Sequence, residues 1–250
     1  MIRSLLLIIV AVCGFAHAEE KVKTPVKEIN SFSEGPASVW IRSEYPFAVG
    51  PTASYDITDT FALGVGAGWT PKQYAKDLGA TIDWVSESQG FKYLIEHLFD
   101  TNVSCDARVE YRPYKQSHWS FEAGGIYLDM STEAPITEAL EASTGRDFTR
   151  LKDLLAIVGK QPVVAVSSKV FLLELRTNYR ISLGKGFETR LGLGLIKTLS
   201  ADVHISSHST AFDNSAAGKN LYDLASTAIE EFFFRYGYVP VAGVEVGYRF

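Results

Sequence analysis

The stretch GYVPVAGVEVGYRF, residues 237–250, decides the fold. Counting back from the last residue, Phe250, Tyr248, Val246, Val244, Ala242, Pro240 and Tyr238 fall on one side of an extended strand. Arg249, Gly247, Glu245 and Gly243 fall on the other. Side chains alternate with a period of two along a strand, so one face is apolar with aromatics at both ends and the other is charged or bare.

Seven earlier segments repeat the pattern, at 37–45, 52–57, 61–69, 102–114, 118–130, 166–182 and 187–199. The sixth shows it best, with Phe171, Leu173, Leu175, Thr177, Tyr179 and Ile181 against Leu172, Glu174, Arg176, Asn178, Arg180 and Ser182. Turns of a few residues are expected at 58–60, 115–117 and 183–186, and another short link near 46–50. Long connections are expected at 70–101, 131–165 and 200–236. Short turns on one rim and long loops on the other are the habit of outer-membrane barrels.

The first eighteen residues read as a secretory signal. Arg3 supplies the positive start, residues 5–12 the apolar run, and Ala16-His17-Ala18 the small-x-small cleavage site. The run is shorter than the ~20 residues of a spanning helix. Cleavage removes Arg3 and leaves 23 basic side chains against 29 acidic, a net charge of −6. That balance argues against a nucleic-acid partner and against a polybasic membrane contact. It also removes Cys13 and leaves Cys105 alone, so no internal disulfide holds the fold. Residues 19–35 are polar and aperiodic, as a flexible periplasmic tail would be.

Alternation does not orient a barrel by itself. A soluble barrel of the lipocalin type has the same period, with apolar side chains inside. Aromatics near strand ends, among them Tyr45, Phe61, Trp69, Tyr111, Phe187 and Tyr248, favour the inverted kind. So does the polar face. It carries Glu44, Asp56, Asp106, Glu110, Glu122, Glu174, Glu188 and Glu245 with Arg42, Arg108, Arg112, Arg176, Arg180, Arg190 and Arg249. Basic groups turned toward lipid cost ~2–4 kcal/mol each at the midplane. In a bilayer these charges must therefore point inward. Every basic group in the set is arginine, whose planar fork pairs carboxylates. Eight strands enclose a space that side chains can fill, so the expectation is an ion-paired lumen with no open pore.

These features together resemble the small eight-stranded outer-membrane barrels of the OmpA, OmpX and OmpW type. The resemblance covers residues 36–250. It implies insertion by the outer-membrane assembly machinery, with Tyr248 and Phe250 matching its terminal signal and Glu245 standing where that signal commonly has glycine. The expected fold is all-β: an eight-stranded antiparallel transmembrane β-barrel with short periplasmic turns and long, partly helical extracellular loops. Helical periods occur in the loops, at Tyr74, Leu78, Ile82 and Val85, at Phe148, Leu151, Leu154, Leu155 and Val158, and at Leu221, Leu224, Ala228, Ile229 and Phe232. Packed on one another they would cap the mouth.

Chemistry is sparse. His204 and Ser206 share the spacing of the His-x-Ser pair of outer-membrane lipid A deacylases, but Ser207 stands where those have asparagine. If the seventh strand simply continues, the pair faces the lumen; the plainer reading is of polar loop residues. His97 with Asp100, and His204 with His208, supply two ligands each, too few for a metal site. No cofactor is expected. The expected function is a non-enzymatic surface scaffold in contact with outer-membrane lipid, whose loops meet an extracellular partner, an envelope component or a small apolar solute. A narrow channel and a lipid-modifying barrel enzyme stay open as alternatives.

Overall fold

The computed structural model describes residues 35–86, 97–99, 101–114, 117–135, 163–207, 216–235 and 238–250. The signal peptide, nearly all of the tail, and the helical period at 148–158 lie outside the described residues.

Eight strands close into one antiparallel barrel in chain order. They are β1 (Ala37–Tyr45), β2 (Ala48–Asp56), β3 (Phe61–Gly68), β4 (Thr101–Tyr111), β5 (Trp119–Pro135), β6 (Val163–Gly184), β7 (Phe187–Ser207) and β8 (Tyr238–Arg249). The terminal stretch closes the cylinder, β8 pairing with β1 from Ser38↔Arg249 to Tyr45↔Ala242. Closure leaves no unpaired edge within the wall, as a strand structure in lipid requires. At the β6–β7 turn Lys185 has φ 54°, flanked by Gly184 and Gly186, each at φ 84°. Two glycines therefore carry positions that other residues adopt poorly.

The strands are unequal. β2 begins at Ala48, four residues before the expected start, because the link from β1 is a tight turn in which Phe47 N–H donates to the Glu44 carbonyl (2.8 Å). β5, β6 and β7 run well into segments expected as loops, β6 reaching 22 residues and β7 21. At ~3.3 Å per residue and a tilt of ~40° such strands rise ~55 Å, about twice the apolar band of a barrel. The surplus stands beyond the wall as a three-stranded blade.

Among the described residues two long helices accompany it, α1 (Lys72–Ser86) and α2 (Ala216–Arg235). Ala75 and Leu78 of α1 and Ala225 and Ile229 of α2 are buried in one apolar cluster. The cluster also holds Met130, Val164, Val166, Val203 and Ile205 of the blade and Phe47, Leu98 and Phe99 near the rim. The buried stripe of α2 runs through Tyr222, Ala225, Ile229 and Phe233. Of the expected stripe, Ile229 is buried and Leu224 is exposed. Among the described residues α2 lies along β7 of the blade.

A bulge separates wall from blade. Phe171 pairs with Ser200 but Leu172 with Thr198, so Leu199 is an extra residue in β7. One inserted residue reverses every later side chain. Up to Thr198 the even-numbered residues of β7 face inward; beyond it Val203 and Ile205 do, and His204 is exposed. The expectation that His204 and Ser206 face the lumen is thereby corrected. Deleting Leu199 should remove the bulge yet leave His204 outward and Ile205 in the apolar cluster, because Ser200 then follows Thr198 in regular alternation. The expected outcome is a barrel that keeps both its heat-modifiable gel migration and the protease protection of residues 216–235. Loss of that protection would contradict this register.

Candidate functional site

The orientation of the wall determines everything inside it. Leu175 is 56 % exposed and Leu193 48 %, whereas Arg176 is 3 % and Glu188 0 %. Phe171, Leu173 and Leu175 point outward, and Glu174, Arg176 and Arg180 toward the axis. Aromatic pairs lie at the ends of the apolar band. Phe61–Tyr111 (5.2 Å), Trp119–Tyr179 (5.1 Å) and Phe187–Tyr248 (5.0 Å) lie at the short-turn rim. Tyr45–Tyr74 (5.2 Å) lies at the other. There the Tyr74 hydroxyl also hydrogen-bonds Ser43 Oγ (2.7 Å), seating α1 against β1.

Fifteen charged side chains project inward, and the barrel brings each within 4 Å of an opposite charge. At the turn rim Arg112 binds Asp56 (2.7 Å) and Glu110 (3.1 Å). Arg249 joins Asp56 and Glu188 (3.3 Å), and Arg180 binds Glu188 at 2.9 Å. Midway, Arg190 spans Glu110 (3.3 Å), Glu122 (3.4 Å) and Glu245 (3.7 Å). Above them Arg176 is the hub, donating to Glu122 (2.7 Å) and to Glu245, with Glu44 and Glu174 each at 3.8 Å. Arg108 reaches Asp106 (2.6 Å), Glu122 (3.4 Å), Glu245 (3.5 Å) and Glu174 (3.8 Å). Arg42 bridges Asp106 and Glu44 (3.4 Å). These partners come from strands far apart in sequence, as with Arg176 of β6 and Glu245 of β8.

Sequence reading overlooked Trp40. It is buried, stacks under the Arg190 guanidinium (3.9 Å to the ring centroid), and donates Nε1–H to Ser38 Oγ (2.9 Å). The signal was present: Trp40 shares its parity with Arg42 and Glu44. Room for its ring comes from Gly247, where a Cβ would stand 2.4 Å from the indole. Between Trp40, Arg108, Glu110, Glu122, Arg190 and Glu245 remains a void of only about 10 Å³, roughly the space of one water. Above the charges the inward side chains are mainly those of the apolar cluster, with Ser104, Thr132 and Ser168 buried among them. The interior is thus stoppered twice in series.

The remaining candidates are scattered. His204 is exposed on the outer face of the blade, across from Ser167 in β6, and Ser206 lies across from Ala165. Asp202, on the same outer face, lies across from Lys169. Asp100 and His208 fall outside the described residues. Among the described residues no group of three or more His, Cys, Asp and Glu could hold a metal ion. Tyr248 and Phe250 point outward with their rings 5.6 Å apart. Cys105 is exposed on the outer wall.

No protein-family model matches this chain, and no curated protein does. Among solved structures it is similar to a major outer membrane protein from Thermus thermophilus, at 15 % identity over 86 % of this chain and 99 % of that one, TM-score 0.40. It is similar to Acinetobacter baumannii CarO, at 12 % identity over 86 % and 96 %, TM-score 0.37. It is also similar to the N-terminal β-barrel domain of Pseudomonas aeruginosa OprF, at 8 % identity over 86 % and 95 %, TM-score 0.37. These likenesses are distant, and the assignment rests on the wall itself. A closed cylinder with an apolar exterior, aromatic ends and every inward charge paired is stable with its outside in lipid. The chain is a closed eight-stranded antiparallel β-barrel with an apolar outer wall and a charged, ion-paired interior.

Proposed function

We propose that the chain is a closed, non-conducting outer-membrane scaffold. Its task is to hold the β5–β6–β7 blade and its helices at the cell surface, where they meet a partner, an envelope component or a small apolar solute. The observation that supports this best is the double stopper, a fifteen-member ion-pair network beneath a mainly apolar cluster. Moving an ion along the axis would mean separating buried pairs, each costly to break, and then crossing a mainly apolar layer in which Ser104, Thr132 and Ser168 are buried polar groups. The effort of the fold goes instead into the blade. Its outer face turns polar just above the apolar band, at Asp129, Lys169 and Asp202, while its inner face turns apolar. That is the polarity of a structure standing in water.

The blade stands outside the cell in this reading, which the short turns on the opposite rim support. Tyr248 and Phe250, exposed at the end of β8, are offered to the assembly machinery during insertion. The expected result in planar bilayers is silence, with folded protein inserted and no single-channel steps. Regular steps from the wild-type chain would overturn the scaffold reading in favour of a narrow channel.

A further inference from the structure

Where β8, β1, β2 and β3 adjoin, the outer wall dips into an open groove of about 630 Å³. Its bed is Pro51, Ala53 and Ala67, small side chains where β6 and β7 carry leucine and phenylalanine. Val39, Ile41, Val65 and Val246 make the sides, and the Phe187–Tyr248 ring pair borders it toward the short-turn rim. Behind the β8–β1 side of the groove, Gly247 bears no side chain and the Trp40 indole lies flush against it.

The lining is almost wholly apolar, so it offers a headgroup nothing to bind. Its size falls within the ~300–1,000 Å³ of ordinary ligand pockets. The groove is continuous with the lipid-facing wall, so the medium that reaches it is acyl chain. In that medium apolar surfaces gain nothing by leaving solvent, and van der Waals fit decides what stays. A flexible methylene chain can follow an open channel of this shape. We propose that the groove holds one acyl chain of a membrane lipid as an ordered, slowly exchanging part of the barrel wall, an inference that rests on the membrane placement given above.

The test is quenching of Trp40 by chain-brominated phosphatidylcholine. In full-length protein carrying Trp69→Phe, Trp84→Phe and Trp119→Phe, reconstituted in such vesicles, Trp40 should be quenched although it is only 3 % exposed. Filling the groove with Ala53→Leu and Ala67→Leu should cut that quenching by roughly twofold or more, because the chain loses its contacts. Should the double variant lose heat-modifiable migration, Ala67→Leu alone serves. Leu193→Trp, in a chain whose four native tryptophans are phenylalanine, reports on the wall away from the groove. No quenching at position 193 would overturn the membrane placement itself. Quenching at 193 with Trp40 unquenched, or equally quenched in wild-type and filled grooves, would overturn the acyl-chain site. Loss of Trp40 quenching as protein concentration rises, with a cross-linked dimer, would give the groove to a second copy and overturn it as well.

Discussion

Replacing Arg176 by methionine is expected to cost the barrel ~3–5 kcal/mol, the scale for removing one partner of a buried ion pair. Arg176 is the extreme case in this lumen, with its side chain at 0 % exposure and four carboxylates within reach. Methionine nearly matches its length but leaves Glu122 and Glu245 without their shortest bonds, in a space too small to admit solvent in quantity. The measurement is urea unfolding in lipid vesicles, read by heat-modifiable gel migration. The double variant Arg176→Met with Glu245→Gln should recover part of the loss, because it also removes a stranded charge. That recovery separates electrostatic stranding from poor packing. A single variant as stable as wild type would mean that water or ions take over the pairing, and the lumen would not be sealed.

The second large effect concerns position along a single strand. Leu193→Arg places a cation on the outer wall within the apolar band, where the penalty is ~2–4 kcal/mol near the midplane. His204→Arg places the same cation on the outer face of the same strand, eleven residues on and past the bulge. There the expected change is within ~0.5 kcal/mol, as for an ordinary surface substitution. The same unfolding experiment compares them. From Phe187 to Leu199 the outward positions span ~40 Å of strand, or ~30 Å of height at a tilt of ~40°, which matches one bilayer core. Equal penalties at 193 and 204 would mean that lipid continues past the bulge and that the blade does not stand in water.

Much of this was legible beforehand because parity is local. Arg42, Glu44 and Trp40 alternate with Val39, Ile41 and Ser43 within one short segment, and no distant contact is needed to see it. The closure of β8 on β1 could be read in the same way, from an even set of alternating strands. The ends of β5, β6 and β7 could not. Residues 200–207 lack the apolar–charged contrast of the wall, and SADVHISS reads as polar loop. They are strand because β6 offers a ladder, and their inner residues are buried because α2 lies alongside. Glu230 of α2 even accepts the Val203 backbone N–H (3.2 Å), supplying a partner beyond the β6 ladder. No local pattern announces a helix side chain in that role. The bulge at Leu199 was equally hidden, since nothing in KTLSAD marks an inserted residue.

By itself, then, the amino-acid order determined the number of strands, their antiparallel succession, and which side of each faces lipid. Its physical basis is that fifteen charges, all on one face of their strands, tolerate only one orientation in a bilayer. Tertiary structure alone decided which carboxylate each arginine meets, because partners lie around a cylinder whose stagger is set by all eight pairings together. It alone decided the height at which the barrel changes from greasy-outside to greasy-inside. That switch depends on where one extra residue slips between two hydrogen-bonded strands.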